Sequence, residues 1–196
     1  MFNNDTAMCD ATWGDDKEIR RSTSGGVIFV AGTPVWNWTT QQSFIAKSSA
    51  IAEYYSLSEC VDQIAYARNF LKTFGYQQTA PTTIFSDSTA ATDIAKTTKN
   101  FSSTKAIEIQ YHNTRGAIQQ SKIRIQYIKS DNNIADYLTK PNGNPNFERF
   151  RTFHGVVSLG GVRNAADNLT FLELGKQYNS LNYSKYQNNQ SEKQNL

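Results

Sequence analysis

Short runs of apolar residues, some interrupted by polar ones, mark three extended segments at the start of the chain. The first ends at residues 10–12, the second covers residues 26–31 and is rich in β-branched and aromatic side chains, and the third covers residues 35–40. A Gly-Thr-Pro sequence at residues 32–34 separates the last two segments and favours a tight turn. We therefore expect three strands, of which the second and third form a hairpin.

Apolar residues at three- and four-residue steps predict a long helix after this hairpin. The helix is expected over about residues 50–74, with Ser48 and Ser49 as candidate N-caps and Gly75 at its end. Its apolar face is formed by six side chains, which are Tyr54, Leu57, Val61, Ile64, Phe70 and Leu71. A stripe of this kind is typical of a helix that packs against a sheet.

The second half of the chain alternates strands with helices. The patterns predict strands over residues 82–86 and 122–128, and helices over residues 88–96, 105–119 and 131–139, the last one stopped by a proline. The element order is then β-β-β-α-β-α-α-β-α. This order predicts an α/β fold with a five-stranded mixed sheet flanked by helices.

The composition changes towards the end of this chain of 196 residues. Residues 178–196 are almost entirely Asn, Gln, Ser, Lys and Tyr, which cannot bury enough apolar area to offset the entropy of ordering, so we predict a disordered tail. Residues 158–177 form a short extension, whose apolar stretch at residues 168–174 would need to dock on the core or on a partner. The folded domain is predicted over residues 1–157.

Charge and cysteine content exclude several classes of protein. The formal net charge is +3, which permits a polyanionic partner without demonstrating one. Cys9 and Cys60 are the only cysteines, too few for a disulfide framework or a zinc site. No apolar run approaches the ~18–20 residues of a membrane span, and the N-terminus lacks a signal pattern. We expect a soluble, intracellular protein with no membrane partner.

Four acidic residues lie at the edges of predicted elements. Asp10 is at or near the end of the first strand, Glu53 in the first turn of the long helix, Asp87 directly after the strand at residues 82–86, and Asp136 in the closing helix. A carboxylate with apolar neighbours costs free energy unless it is paired or bound to a cation. Several of them converging at one sheet edge would suit Mg²⁺ or Mn²⁺.

Each of these acids also has a simpler interpretation. Asp87 precedes a helix and, taken alone, is better explained as a helix N-cap. Glu53 suits the dipole of the helix in which it lies. Asp136 can lie on an exposed helix face, and Asp10 can be a loop residue. The sequences around the four acids together favour the metal-binding interpretation.

Four sequence motifs occur around these acids, in an order that is typical of one family. They are RRSTSGGVIF at residues 20–29, SSAIAEYYSLSE around Glu53, IFSDSTAA around Asp87 and IADYLTKP around Asp136. Over about residues 7–157 the chain resembles the ribonuclease H domain of copia-type (Pseudoviridae) retrotransposon polyproteins. The resemblance implies a ribonuclease H-like fold.

The resemblance also implies a chemistry, which is hydrolysis of the RNA strand of RNA–DNA hybrids with two Mg²⁺ ions, for which Mn²⁺ can substitute. Asp10 would bridge both ions. Asp136 would help to hold the ion that activates water, while Glu53 and Asp87 would hold the ion that stabilises the leaving oxygen. Among basic and hydroxyl side chains, the family motifs favour contacts to nucleic acid by Arg21, Ser22, Thr23 and Lys105.

The implied partners are the hybrid and a reverse transcriptase domain of the same polyprotein, in the cytoplasm within a virus-like particle, in the nucleus, or in both. Trp13, Trp36 and Trp38 can stack on nucleic acid, but packing is the more common role of such residues, so we expect them to pack. Neither His112 nor His154 is assigned a catalytic role.

Two other functions compete with this one. One is a non-catalytic module that binds hybrids or serves as a structural remnant of a transposon polyprotein. The other is DNA transfer of the integrase type, which shares the sheet architecture; the fourth acid and the closing motif ADYLTKP argue against it. Cleavage of a labelled hybrid in the presence of Mg²⁺ separates the first alternative from the nuclease.

Overall fold

The computed structural model describes residues 5–96, 105–140 and 144–154. The described residues fall into two compact units, one ending at Gly143 and one beginning at Asn144. The predicted domain boundaries at 157/158 and 177/178 and the predicted tail lie outside the described residues. A short 3-10 turn covers Ser130–Asn132. The other elements are β1 (Thr6–Thr12), β2 (Thr23–Val30), β3 (Thr33–Gln41), α1 (Ser49–Thr73), β4 (Thr82–Ser86), α2 (Thr89–Lys96), α3 (Lys105–Gln119), β5 (Ile123–Tyr127), α4 (Asp136–Thr139) and α5 (Asn144–Phe153).

The sheet has the strand order β3-β2-β1-β4-β5. The pairs β3–β2 and β2–β1 are antiparallel, whereas β1–β4 and β4–β5 are parallel. Because parallel neighbours need a crossover, helices connect β3 to β4 and β4 to β5. The buried core lies between the sheet and α1, and includes Ile28, Leu57, Ile64 and Ile84. The predicted five-stranded mixed sheet is confirmed.

The hairpin turn lies one residue earlier than predicted. Ala31 and Gly32 form it, and both have positive φ, at 53° and 81°. A two-residue hairpin turn needs this backbone conformation, because its twist then matches that of the strands. Pro34 belongs to β3, which tolerates a proline because it is an edge strand and shifts register against β2 at that point.

The ends of α1 were predicted closely. The Ser48 side chain accepts a hydrogen bond from the Ile51 N–H and caps the helix. At the other end Gly75, with φ of 83°, and Tyr76 donate their backbone N–H groups to carbonyls of the last turn. No described helix, α1 included, is long and apolar enough to cross a membrane.

Only the first part of the predicted apolar face of α1 is buried. Phe70 is 56% exposed, and its ring contacts that of Phe74 rather than the sheet. The α1 helix of 25 residues extends beyond the sheet of short strands that it covers. The members of the face that are buried are Tyr54, Leu57, Val61 and Ile64.

The prediction of one continuous helix over residues 131–139 is wrong. The 3-10 turn at Ser130–Asn132 and α4 are separated, and Asn133 between them has extended backbone, with φ of −84° and ψ of 99°. The Asn133 side chain accepts a hydrogen bond from the Ala135 N–H at 3.2 Å and donates one to the Cys9 carbonyl at 3.0 Å. An asparagine that bonds nearby backbone in this way competes with the helix, which explains the interruption.

Candidate metal centre

Asp10 lies on the central strand β1 and is 1% exposed. Its Oδ2 accepts a hydrogen bond from the Thr139 hydroxyl, and its backbone carbonyl accepts one from the Ser56 hydroxyl at 2.6 Å. Burial raises the pKa of Asp10, whereas the Thr139 hydrogen bond and the Lys140 ammonium lower it by less. Thr139 of α4 therefore orients the Asp10 carboxylate, while Ser56 of α1 holds the backbone at this residue.

Glu53 lies near the start of α1 and faces the end of β1. The Ala11 backbone N–H donates to its carboxylate, but Oε2 is buried and has no hydrogen-bond partner among the described residues. Burial, together with the negative charges of Asp10 and Asp87, raises the pKa of Glu53 to about 9. A buried carboxylate oxygen without a donor is costly unless a cation or a proton satisfies it.

Asp87 follows β4 directly. Its carboxylate accepts hydrogen bonds from the Ser130 hydroxyl and from Asn133 Nδ2, the latter at 3.2 Å. The neighbouring Ser88, not Asp87, caps α2, because its Oγ accepts the Ala91 N–H at 3.1 Å. The interpretation of Asp87 as an ordinary N-cap is therefore wrong.

The structure brings three of the four predicted ligands together. One carboxylate oxygen each from Asp10, Glu53 and Asp87 lies within 4.8 Å of the others. The cluster forms because β1 and β4 are parallel neighbours and the start of α1 packs against β1. Three carboxylates at this spacing repel one another unless a positive charge lies between them. The orphaned Glu53 oxygen and the all-oxygen donor set both fit a hard divalent cation.

Asp136, the fourth predicted ligand, makes an ion pair at the edge of this cluster. The Lys140 ammonium donates to the Asp136 carboxylate and lies 3.7 Å from Asp10 Oδ2. Burial alone would lower the pKa of Lys140, but the Asp136 hydrogen bond and the charges of Asp10 and Asp136 raise it. Lys140 thus supplies positive charge beside the acids, and the role of Asp136 as a metal ligand stays a prediction.

Sequence reasoning missed the glycine that lets α4 approach the sheet. A Cβ on Gly25 would lie 2.8 Å from Thr139 Cγ2 and 2.9 Å from Leu138 Cβ, so α4 packs directly against this strand position. Gly25 pairs with Asp10 across β1 and β2. Its signal in the sequence is a Gly-Gly pair inside a strand, which marks a close approach of other atoms.

The four residues predicted to contact nucleic acid have different environments. Ser22 is fully buried, and its hydroxyl accepts a backbone N–H of the β1–β2 loop, so its side chain serves that loop, and its contact to nucleic acid stays a prediction. Thr23 is partly exposed and donates to Asp15 at 3.0 Å, and Arg21 is also partly exposed. Lys105 is the first residue of α3, and its side chain lies outside the described part of the chain.

The tryptophans were expected to pack, and only two of them do so. Trp38 packs against the core, and the Trp36 ring contacts Tyr66 with 5.8 Å between ring centroids. Trp13 is 56% exposed.

The pKa of Glu53 predicts how stability depends on pH and metal. Below the ordinary carboxyl pKa of 4.5, Glu53 is protonated in both the folded and the unfolded protein. As pH rises from there to about 9, the unfolded chain loses this proton before the folded one, so the free energy of unfolding of the metal-free protein should fall. Mg²⁺ should reduce that fall, because it stabilises the ionised carboxylates of the folded protein.

Thermal melting between about pH 5 and pH 9, in EDTA and in Mg²⁺, measures this effect. The Glu53→Gln variant is the control, because it cannot ionise and should show a shallower decline in EDTA. A melting temperature unaffected by Mg²⁺ at every pH would contradict a cation site at this cluster.

Comparisons with known proteins identify relatives by sequence. The Pol polyprotein of the Arabidopsis thaliana transposon RE1 is 30% identical over 154 residues, which are 78% of this chain and 10% of the relative. The RE2 polyprotein of the same plant is 29% identical over 161 residues, 80% of this chain and 11% of the relative. The polyprotein of the Nicotiana tabacum transposon TNT 1-94 is 27% identical over 150 residues, 76% and 11% respectively. The chain thus spans about a tenth of each relative, and no family model matches it.

Solved structures resemble the fold at low sequence identity. LC11-RNase H1, isolated from compost by a metagenomic approach, matches with a TM-score of 0.52 and 14% identity, over 69% of this chain and 92% of that one. A foamy viral protease-reverse transcriptase in complex with an RNA/DNA hybrid matches with a TM-score of 0.51 and 15% identity, over 70% of this chain and 19% of that one. These likenesses concern the fold alone.

Proposed function

Because this chain is homologous to Pol polyproteins of copia-type retrotransposons and has the ribonuclease H fold, we propose that it is a metal-dependent endonuclease. Its substrate would be the RNA strand of RNA–DNA hybrids formed during reverse transcription of the retrotransposon. The observation that carries the proposal is the cluster of Asp10, Glu53 and Asp87, in which a buried Glu53 oxygen has no partner among the described residues.

The same three residues would hold divalent cations, two Mg²⁺ ions or Mn²⁺ in their place. Bound cations would activate water and stabilise the leaving oxygen of an in-line displacement. Asp10 is the best candidate for the shared ligand, because it is the most buried of the three and its strand both pairs with β4 and packs against α1. Asp136 would join the set once its carboxylate turns from Lys140.

The surrounding residues would keep these ligands in position. The Ser130 hydroxyl and Asn133 amide orient the Asp87 carboxylate, and the Thr139 hydroxyl orients that of Asp10. Ligands held in this way need little rearrangement when a cation binds. The Lys140 ammonium, beside Asp10, would also offset part of the charge of a phosphate brought to the cluster.

The hybrid is the proposed partner because a nuclease of this kind reads the sugar and the shape of the duplex rather than its base sequence. A structure of LC11-RNase H1 in complex with an RNA/DNA hybrid has a TM-score of 0.50 to this chain, which supports the choice of substrate. Arg21 and Thr23 of this chain, both partly exposed, and Lys105 are the proposed contacts to it. A reverse transcriptase portion of the same polyprotein is the proposed protein partner, in the cytoplasm within a virus-like particle, in the nucleus, or in both.

A cleavage assay tests this function. The protein is incubated with an end-labelled RNA–DNA hybrid, and in parallel with RNA and DNA duplexes of the same sequence, in Mg²⁺, Mn²⁺ and EDTA. We expect internal cuts in the RNA strand of the hybrid only, and none in EDTA. Binding of the hybrid without cleavage in either metal would overturn the proposal in favour of a non-catalytic module.

A further inference from the structure

Trp13 is held in place at the surface. Its indole N–H donates to the Ala46 carbonyl at 2.9 Å, yet the residue remains 56% exposed. Exposing so much aromatic area to water costs free energy that packing would recover. The hydrogen bond also limits how the ring can move. A ring that is exposed and held in one orientation can serve as a stacking surface for a ligand.

The position of Trp13 relates it to the metal centre. It follows the last residue of β1 directly, and three residues of extended chain place its Cα about 10 Å from that of Asp10. Its partner Ala46 lies just before Ser48, the cap of the helix that carries Glu53. Trp13 thus connects the two elements that supply these acids, and a separation of about 10 Å corresponds to roughly three nucleotide steps along one strand.

The neighbours of Ala46 in the chain also suit a nucleic acid. In sequence, Ala46 is flanked by Ile45, which is 60% exposed, and by Lys47, which is also exposed. This group of an aromatic, an aliphatic and a cationic side chain is called here the Trp13 platform. Aromatic rings beside positive charge are typical of surfaces that bind nucleotides without regard to base sequence.

We propose that the Trp13 platform contacts one nucleotide of the RNA–DNA hybrid close to the cleaved phosphate and thereby sets the position of the duplex on the metal centre. The inference rests on the proposed function, since it concerns the same substrate. Trp13 is a positioning residue under this proposal, because its ring would hold the substrate without taking part in bond breaking. Its ring should therefore contribute to affinity rather than to the chemical step.

The matched control is Trp36 of the edge strand β3, which is 46% exposed and whose ring contacts that of Tyr66 in α1. Affinity for a fluorescent RNA–DNA hybrid is measured by anisotropy in an Asp10→Asn background, which prevents cleavage. Trp13→Ala should weaken binding about tenfold, Trp13→Phe less than about threefold, and Trp36→Ala less than about twofold. In the otherwise wild-type protein, Trp13→Ala should raise KM and leave kcat nearly unchanged.

Indole fluorescence provides a second measurement that does not depend on the alanine variant folding. We expect the hybrid to quench the protein with its native tryptophans and the Trp36→Phe variant, and to quench Trp13→Phe much less. Equal affinities of the Trp13→Ala and Trp36→Ala variants would overturn the inference. So would an equal loss in Trp13→Phe and Trp13→Ala, because the Ala46 hydrogen bond rather than the ring face would then be responsible. If the parent protein neither binds nor cleaves the hybrid, the proposed function itself fails.

Discussion

Replacing Asp10 with asparagine is expected to lower the rate of hybrid cleavage by at least about 10³-fold, because bound cations contribute several kcal/mol to such a reaction. Asp10 is the most buried member of the acidic cluster and is close to both Glu53 and Asp87. Asparagine keeps the shape of the side chain and can still accept the Thr139 hydroxyl, but it lacks the negative charge that binds a cation. The loss should therefore be in chemistry and metal affinity, not in folding.

The same substitution should raise the melting temperature of the metal-free protein. Burial raises the pKa of Asp10, and the charges of Asp87 and Asp136 raise it further, so its ionised form is unfavourable there without a cation. The stabilising shift caused by Mg²⁺ in the parent protein should shrink or disappear in the variant. Asp93→Asn is the control, because Asp93 is an exposed acid on α2.

Differential scanning fluorimetry with and without Mg²⁺, combined with the hybrid cleavage assay, measures both effects. Asp93→Asn should leave the cleavage rate and the metal-induced shift unchanged. Near-full activity of Asp10→Asn would show that the bridging ligand has been assigned wrongly.

The elements that sequence reasoning predicted best have strong local signals at their ends. The strand Thr82–Ser86 and the helix Lys105–Gln119 have the predicted bounds, and α1 differs from its prediction by one residue at each end. The α1 helix has a serine cap and a terminal glycine, both of which act through local hydrogen bonds and backbone conformation. Information of this kind is contained in a few neighbouring residues.

The errors arise where a side chain finds its partner far along the chain. Asn133 interrupts the predicted closing helix through its local bond to the Ala135 N–H and through its bond to the Cys9 carbonyl, and no pattern around residue 133 indicates the second contact. Phe70 fits the apolar stripe of α1, but how far the sheet extends beneath the helix depends on the whole topology. The periodicity of the sequence predicts which face of a helix is apolar, but it does not specify how much of that face the sheet covers.

The candidate site shows the same division. The motifs around Asp10, Glu53 and Asp87, through the family that they resemble, predicted that the three acids serve one site, and the structure brings their carboxylates together. The pairing of Asp136 with Lys140 depends on side-chain rotamers at the end of a helix of four residues, which sequence does not specify. The sequence therefore predicted which acids are present at the site more reliably than the partner of each.

Gly26→Ala should lower the melting temperature by about 5–10 °C, which corresponds to about 2–3 kcal/mol of overpacking in a chain of this size. A Cβ at this position would lie 2.3 Å from two atoms of the Trp38 ring and 2.8 Å from the Met8 carbonyl oxygen. The Trp38 ring can turn away only by losing its packing on the core, and the Met8 carbonyl is backbone of the central strand. Either response costs stability.

Gly116→Ala is the matched control, because a Cβ there has nothing within 4 Å and alanine is favoured over glycine inside a helix by about 0.5–1 kcal/mol. It should leave the melting temperature unchanged or raise it slightly. Combining Gly26→Ala with Trp38→Leu should cost less than the sum of the two single changes, because the smaller side chain makes room for the methyl group. Strict additivity, or a Gly26→Ala protein as stable as the parent, would show that Trp38 does not lie over Gly26. The sheet and hairpin would then pack differently at the strand next to Asp10.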